Sequence, residues 1–199
     1  MSNIFMEDRS HHIFKWETLG NIKEGRGDLG EDMPVIIYRL LEYSINHILA
    51  EEYGVEQANE LFRKAGFLAG AEFAKNMLDL TQELSGLFAQ LQQVMKDLKI
   101  GILRVESVSE QDGTIFLTVA QDLDCSGLPP TNEVVCNYDE GFISGILEAY
   151  TNKPYFVREW IAGHPATVFA ASAALQSKNF PFLESRFLWI KHQKFCLRT

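Results

Sequence analysis

Few residues in this chain pair a reactive side chain with a spacing that chemistry could use. Its three cysteines, Cys125, Cys136 and Cys196, are too few and too scattered for a disulfide framework. Cys125 falls in a loop rich in Gly, Pro and Asp (QDLDCSGLPPTNE, 121–133), and Cys136 falls on an apolar helical pattern. Thiolates are strong ligands for a closed-shell ion such as zinc. A lone cysteine also packs well as a small hydrophobe, and both uses stay open here. His164 lies in a Gly163-His164-Pro165 turn, whereas His11, His12 and His192 read as solvated. No GxGxxG follows a predicted strand, and no other dinucleotide or flavin fingerprint occurs. A hydride-transfer enzyme would therefore lack a recognisable seat for its reductant. No Ser/His/Asp arrangement stands at a usable spacing. Asp139 and Glu140 sit near the start of a predicted helix, where the helix dipole favours acids. Binding ranks above catalysis on these grounds.

The elements that must position these residues follow from hydrophobic period. Residues 1–33 read as irregular, punctuated by Gly20, Gly25, Gly27 and Gly30 and anchored by Phe14, Trp16 and Leu19. Such a segment wraps the body or joins a dimer. Apolar residues at helical spacing run from Met33-Pro34 through Leu49, with Gly54 as the stop. A second helix spans about 56–77, and Gly66, Gly70 and Ala74 fall four apart on one of its faces. Each interior glycine costs about 1 kcal/mol of helix stability against alanine, so the bare face needs a purpose. Close packing of another backbone is one, and forming the wall of a pocket is another. A third helix covers about 80–98, with Asp79 and Gln82 as a capping box. The period then changes to two, giving a β-hairpin over 100–108 and 114–120 around Gln111-Asp112-Gly113. Residues 134–150 return to a helix, and 154–161 with 167–171 form a second strand pair. Three helices, a hairpin, a helix and a hairpin predict an α+β fold on an antiparallel sheet rather than a doubly wound one.

Composition narrows the function classes. Apolar residues make up 46% and charged residues 23% of 199 residues, enough for a full core and against wholesale disorder. The net charge of -9, with no basic stripe before residue 171, argues against nucleic acid as a partner. No apolar run approaches the roughly 18–20 residues that span a bilayer, and the N-terminus has no secretory h-region, so the expected location is cytoplasmic, without stable membrane insertion. Residues 172–199 differ in character: five basic residues oppose Glu184, interleaved with Phe180, Phe182, Phe187, Trp189 and Phe195. This basic aromatic tail either docks on the acidic body or contacts a membrane surface.

Three stretches together resemble the 4-vinyl reductase domain family. FKWETLGNIKEGRGDLGEDMPVIIYRLLEYS resembles the lead-in of its stand-alone members, and its Tyr38-Arg39-Leu40 a recurring family segment. ELFRKAGFLAGAEFAKNML resembles its glycine-notched helix, and CSGLPPTNEVVCNYDEGFISGILEAYTNKPYFVREW its signature core. The resemblance covers about residues 14–171. It implies helices packed on a four- to five-stranded antiparallel sheet, often as a dimer. It also implies a fold shared with the sensor domains of phenol-type transcription activators and with small subunits of a Golgi-transport complex. The ligand-binding domain would then be 34–171, between a wrapping segment (1–33) and the tail (172–199).

That resemblance supplies the functional expectations. Family members bind small, often aromatic or hydrocarbon-like molecules, so the expected role is a hydrophobic-ligand sensor or carrier domain, a homodimer without its own output module. A tetrapyrrole vinyl reductase or accessory factor is one alternative, and an adaptor of the Golgi-transport type another. The expected ligand-lining residues are Phe67, Gly70, Phe73, Tyr138, Phe142, Tyr150, Trp160 and His164, with Glu140 as a further polar candidate. In sensor relatives a helix-head cysteine, a strand glutamate and two turn cysteines hold zinc. Cys136 and Glu159 match the first two, but the turn cysteines are missing. A zinc site would have to combine Cys125, Cys136, Glu159 and His164. The expectation is that this chain keeps the pocket without the metal, with Trp160 and Phe169 packing in its place and no other cofactor.

Overall fold

Apolar period and glycine punctuation produce a helical hairpin first. In the computed structural model, which describes residues 14–109, 113–129, 136–161 and 166–173, with side chains up to Glu159, α2 (Val35–Tyr53) and α3 (Val55–Met77) meet at Gly54. Gly54 adopts φ 85°, a left-handed conformation that glycine takes without a Cβ penalty. Before them lie a 3-10 turn (Trp16–Leu19) and a short α1 (Ile22–Gly25). The backbone N–H of Trp16 donates to Glu72 on α3 at 3.1 Å, so the lead-in touches the body at this point.

The next helix, α4, spans Leu84–Asp97 with Glu83 as its N-cap, later than the capping-box pattern predicts. Asp79 instead closes a turn, accepting from the Thr81 N–H at 3.0 Å and its hydroxyl at 2.6 Å. The short carboxylate satisfies nearby donors outside a helix, which is why Asp competes with helical backbone.

Strands β1 (Ile102–Ser109), β2 (Thr114–Ala120), β3 (Tyr155–Ile161) and β4 (Ala166–Ala173) flank α5 (Asn137–Thr151) in sequence. The sheet order is β1-β2-β4-β3, and all three pairings are antiparallel. The expected α+β class with an antiparallel sheet holds. Irregularities between Val105 and Ser107, midway along β1, and between Glu159 and Ile161, near the end of β3, break the register, as β-bulges do. The helix expected from residue 134 starts at Asn137, with Cys136 as its N-cap.

The core joins α3, α4 and α5 to the sheet through Phe73, Leu87, Leu91, Met95, Leu117, Ile146, Leu147 and Val157. Leu87, Leu117, Ile146 and Leu147 are fully enclosed, and each contributes about 2 kcal/mol of burial. The α2 helix contrasts with this: none of its residues is buried. Ile36, Leu40 and Leu41 are 61–62% exposed, and Ile37, Ile45 and Ile48 are also exposed. No helix among the described residues is long and apolar enough to cross a membrane.

Candidate functional site

The glycine stripe is a helix seam. Gly66 and Gly70 on α3 face Gly141 and Gly145 on α5. A Cβ on Gly70 would lie 2.8 Å from the Phe142 carbonyl carbon, and one on Gly141 equally close to the Arg63 carbonyl carbon. At Gly145 a Cβ would meet the Ala71 nitrogen at 2.8 Å, and at Gly66 the Phe142 nitrogen at 3.0 Å. Four positions without side chains let two backbones touch, which is the close-packing use of such a stripe. Gly70 therefore turns its bare face to the Phe142 backbone rather than to a ligand, which corrects its expected lining role. Two of these glycines, Gly141 and Gly145, belong to the partner helix, and the EGFISG spacing of their own is the signal that pairs them.

The aromatic candidates gather beside this seam. The Phe73 and Phe142 rings meet edge-on at 5.1 Å, and Tyr138 stacks on Phe142 at 6.4 Å. Phe73 and Phe142 belong to the core, with Tyr138 and Tyr150 packed against it. The Tyr150 hydroxyl donates to the Gln82 carbonyl at 3.0 Å, and Phe67 is half-buried. Trp160 lies on β3, its side chain outside the described residues, as are His164 and the side chain of Phe169.

Glu140 has a structural task. Its carboxylate, wholly buried, accepts from Arg63 Nε at 2.8 Å, Arg158 Nη1 at 3.0 Å and the Glu159 N–H at 2.7 Å. These bonds fasten α5 to α3 and β3. They exceed the dipole interaction that its place near a helix start predicts.

The chemically distinctive region lies where the 121–127 loop meets the head of α5. The Cys136 thiol contacts Cys125 Sγ at 2.9 Å. Asp122 Oδ1 accepts from the Asp124 N–H at 2.8 Å and the Cys125 N–H at 3.3 Å, and lies 3.5 Å from Cys125 Sγ. Glu159 accepts from the Cys136 N–H at 3.0 Å. The loop backbone is pinned to α2: Arg39 donates to the carbonyls of Leu123 (2.7 Å), Ser126 (2.9 Å) and Asp122 (3.4 Å), and the Tyr43 hydroxyl to Asp124 (3.1 Å). Arg39 thus serves the loop carbonyls, and Asp122 joins the thiols. The sequence reading missed Asp122, whose signal is its position one turn before Cys125 in QDLDC.

Two donor sets result. Asp122, Cys125 and Cys136 bring ligand atoms within 4.8 Å of one another, as do Asp122, Asp124 and Asp139. Burial pushes the Asp139 carboxyl well up, raises Asp124 to about 6 and raises Glu42 to about 8, each further raised by neighbouring acids. The contact with Cys125, then burial, raises the Cys136 thiol, and burial lifts Tyr138 to about 12. Crowded acids in low dielectric disfavour their charged forms, and a cation would reverse that cost. Two thiols and a carboxylate are three of the four donors that a structural zinc takes, and Glu159 is joined to the same point through the Cys136 N–H.

No family model matches the chain. The uncharacterized protein MJ1642 of Methanocaldococcus jannaschii is 30% identical over 132 residues, 66% of this chain and 71% of that protein. This chain belongs to the same family as MJ1642. A second protein of that organism, MJ0150, is 25% identical over 79 residues, 40% of this chain and 44% of its own. The fold of this MJ1642 relative recurs in solved structures. The phenol-responsive sensory domain of the transcription activator PoxR, determined with phenol, has a TM-score of 0.55 and 18% identity, covering 75% of this chain and 80% of that one. A vinyl-4-reductase family protein from Methanocaldococcus jannaschii has a TM-score of 0.51 and 13% identity, covering 73% and 85%. A trafficking protein particle complex subunit 3 from Naegleria fowleri, covalently bound to palmitic acid, has a TM-score of 0.57 and 11% identity, covering 70% and 94%.

Proposed function

We propose that this MJ1642-family protein is a member of the 4-vinyl reductase domain family that binds a small hydrophobic molecule, as a sensor or carrier domain. The observation that carries this reading is the fold shared with a phenol-responsive sensory domain. The Phe73–Phe142–Tyr138 cluster supports it, because ligand sites of this class are mostly apolar with a few placed polar groups. The ligand would lie beside the glycine seam of α3 and α5, against Phe67, Phe73, Tyr138, Phe142 and Tyr150, with Trp160 and His164 as further expected lining residues. This reading needs no metal; were zinc bound, Cys125, Cys136 and Asp122 would supply three of its ligands and tie the loop to α5.

The same helix could transmit occupancy. Phe142 lies one turn from Asp139 on α5, and the loop facing Asp139 is held by Arg39 of α2. A ligand that shifts Phe142 would move the loop and, through Arg39, the apolar face of α2. We assign that face to a second copy of the chain in a homodimer. A helix with so many exposed apolar side chains marks an interaction surface. The adaptor reading draws on the same face and differs in leaving the interior filled.

Calorimetric titration with phenol and with palmitate as probes tests the binding reading. Saturable binding of either, weakened at least about tenfold by Phe142→Ala, is expected, since that factor corresponds to about 1.4 kcal/mol of lost contact. Heats of dilution alone with both probes, in protein shown to be folded, favour the adaptor.

A further inference from the structure

We propose that the carboxylates of Asp122, Asp124 and Asp139 form a site for an oxygen-preferring divalent cation of the magnesium, manganese or calcium class. The site would lie between the 121–127 loop and the first turn of α5, and it goes beyond the ligand-binding reading. One oxygen from each residue lies within 4.8 Å of the others. Asp124 is 3% exposed, and while Tyr38 and Asp139 reach its carboxyl, its Oδ2 accepts no hydrogen bond among the described residues; nor does Asp139 Oδ2. An enclosed carboxylate oxygen without a donor needs a proton or a cation. Glu42 of α2 adds a fourth acid beside Asp124, and its Oε2 likewise has no partner among the described residues.

The neighbouring cation, Arg39, eases the Asp124 and Glu42 charges through space but donates its hydrogen bonds elsewhere. Arg39 directs its Nε and Nη2 to the carbonyls of Leu123, Ser126 and Asp122. These bonds hold the loop backbone against α2. The Asp139 carboxyl comes from a different element, so the ion would clip the loop to α5. The donors are all oxygen, which selects hard cations, whereas the thiol set beside it selects zinc-like ions. Asp122 is common to both sets and would be the shared ligand.

The test is Mn2+ binding to chelator-treated, dialysed full-length protein, with free ion read by electron paramagnetic resonance. Stoichiometric Mn2+ uptake is expected, displaced by Mg2+ or Ca2+. Asp124→Asn and Asp139→Asn should each weaken it at least about tenfold, while Cys125→Ser retains it. Absence of stoichiometric uptake by folded wild-type protein overturns the proposal, as does undiminished uptake in both Asn variants. Equal loss in Cys125→Ser places the ion on the thiols and also overturns it. If the Asn variants do not fold, pulsed electron paramagnetic resonance of Mn2+ bound to the wild type decides: all-oxygen coordination supports the site, and sulfur ligation from the thiols refutes it.

Discussion

Replacing Gly70 or Gly145 by alanine sets two effects of opposite sign against each other. In an open helix the change stabilises by about 1 kcal/mol. Here the new methyl would collide first with the Phe142 carbonyl oxygen, or at Gly145 with the Phe67 carbonyl oxygen. Ordinary contact begins at 3.4 Å, so α3 and α5 must part by more than an ångström. The obstacle is backbone, which cannot rotate aside as a side chain can. Overpacking of a core costs about 1–3 kcal/mol, and an unyielding neighbour puts these sites at the upper end. Set against the propensity gain, the net destabilisation is about 2 kcal/mol. That lowers Tm by about 4–8 °C for a chain of this size. Thermal and urea unfolding followed by circular dichroism measure it. Gly25→Ala is the control, because a Cβ there would meet nothing within 4 Å, and its Tm should stay level or rise slightly. A Tm for Gly70→Ala at or above wild type would refute the backbone-contact reasoning.

Glu140→Ala removes the common partner of Arg63 and Arg158; because those side chains keep 25% and 51% exposure and can rehydrate, the cost should fall near 3 kcal/mol, the low end for breaking a buried pair. Glu140→Gln should cost less, and urea midpoints distinguish the two; no loss in Glu140→Ala would contradict the staple. A homodimer through α2 predicts a sedimentation mass of two chains for wild type and one chain for Leu40→Asp, with unchanged circular dichroism; a monomeric wild type would count against it. Hydrogen bonds from the Thr81 hydroxyl and N–H hold Asp79 below the usual carboxylate range. Its contribution is therefore present above about pH 4 and lost as pH falls through the lowered value. Asp79→Asn should flatten that acid-side slope, and an unchanged slope would remove Asp79 as its source.

Element order and class were legible because hydrophobic period changes visibly at Ile100 and because Gly54 and the 111–113 turn punctuate the chain. The helix pairing was legible only in part. Gly66 and Gly70 announce a bare face, but the choice between a pocket wall and a packed backbone depends on Gly141 and Gly145, which come from a distant segment. Glu140 shows a limit of local rules. Its place near a helix start predicts a dipole interaction, yet three donors from α3 and β3 converge on it. Cys125 and Cys136 were legible as thiols that could meet, whereas Asp122 joins them only when the loop folds back under Arg39. The exposed α2 face looks like core in the sequence, since period reports which residues share a side and not what covers it.

The most direct test of the ligand-binding account is native mass spectrometry of the protein purified from its own host. The account predicts chains carrying a small apolar molecule, or empty chains that take up phenol or palmitate at one molecule each. Bare chains that take up neither probe would contradict it.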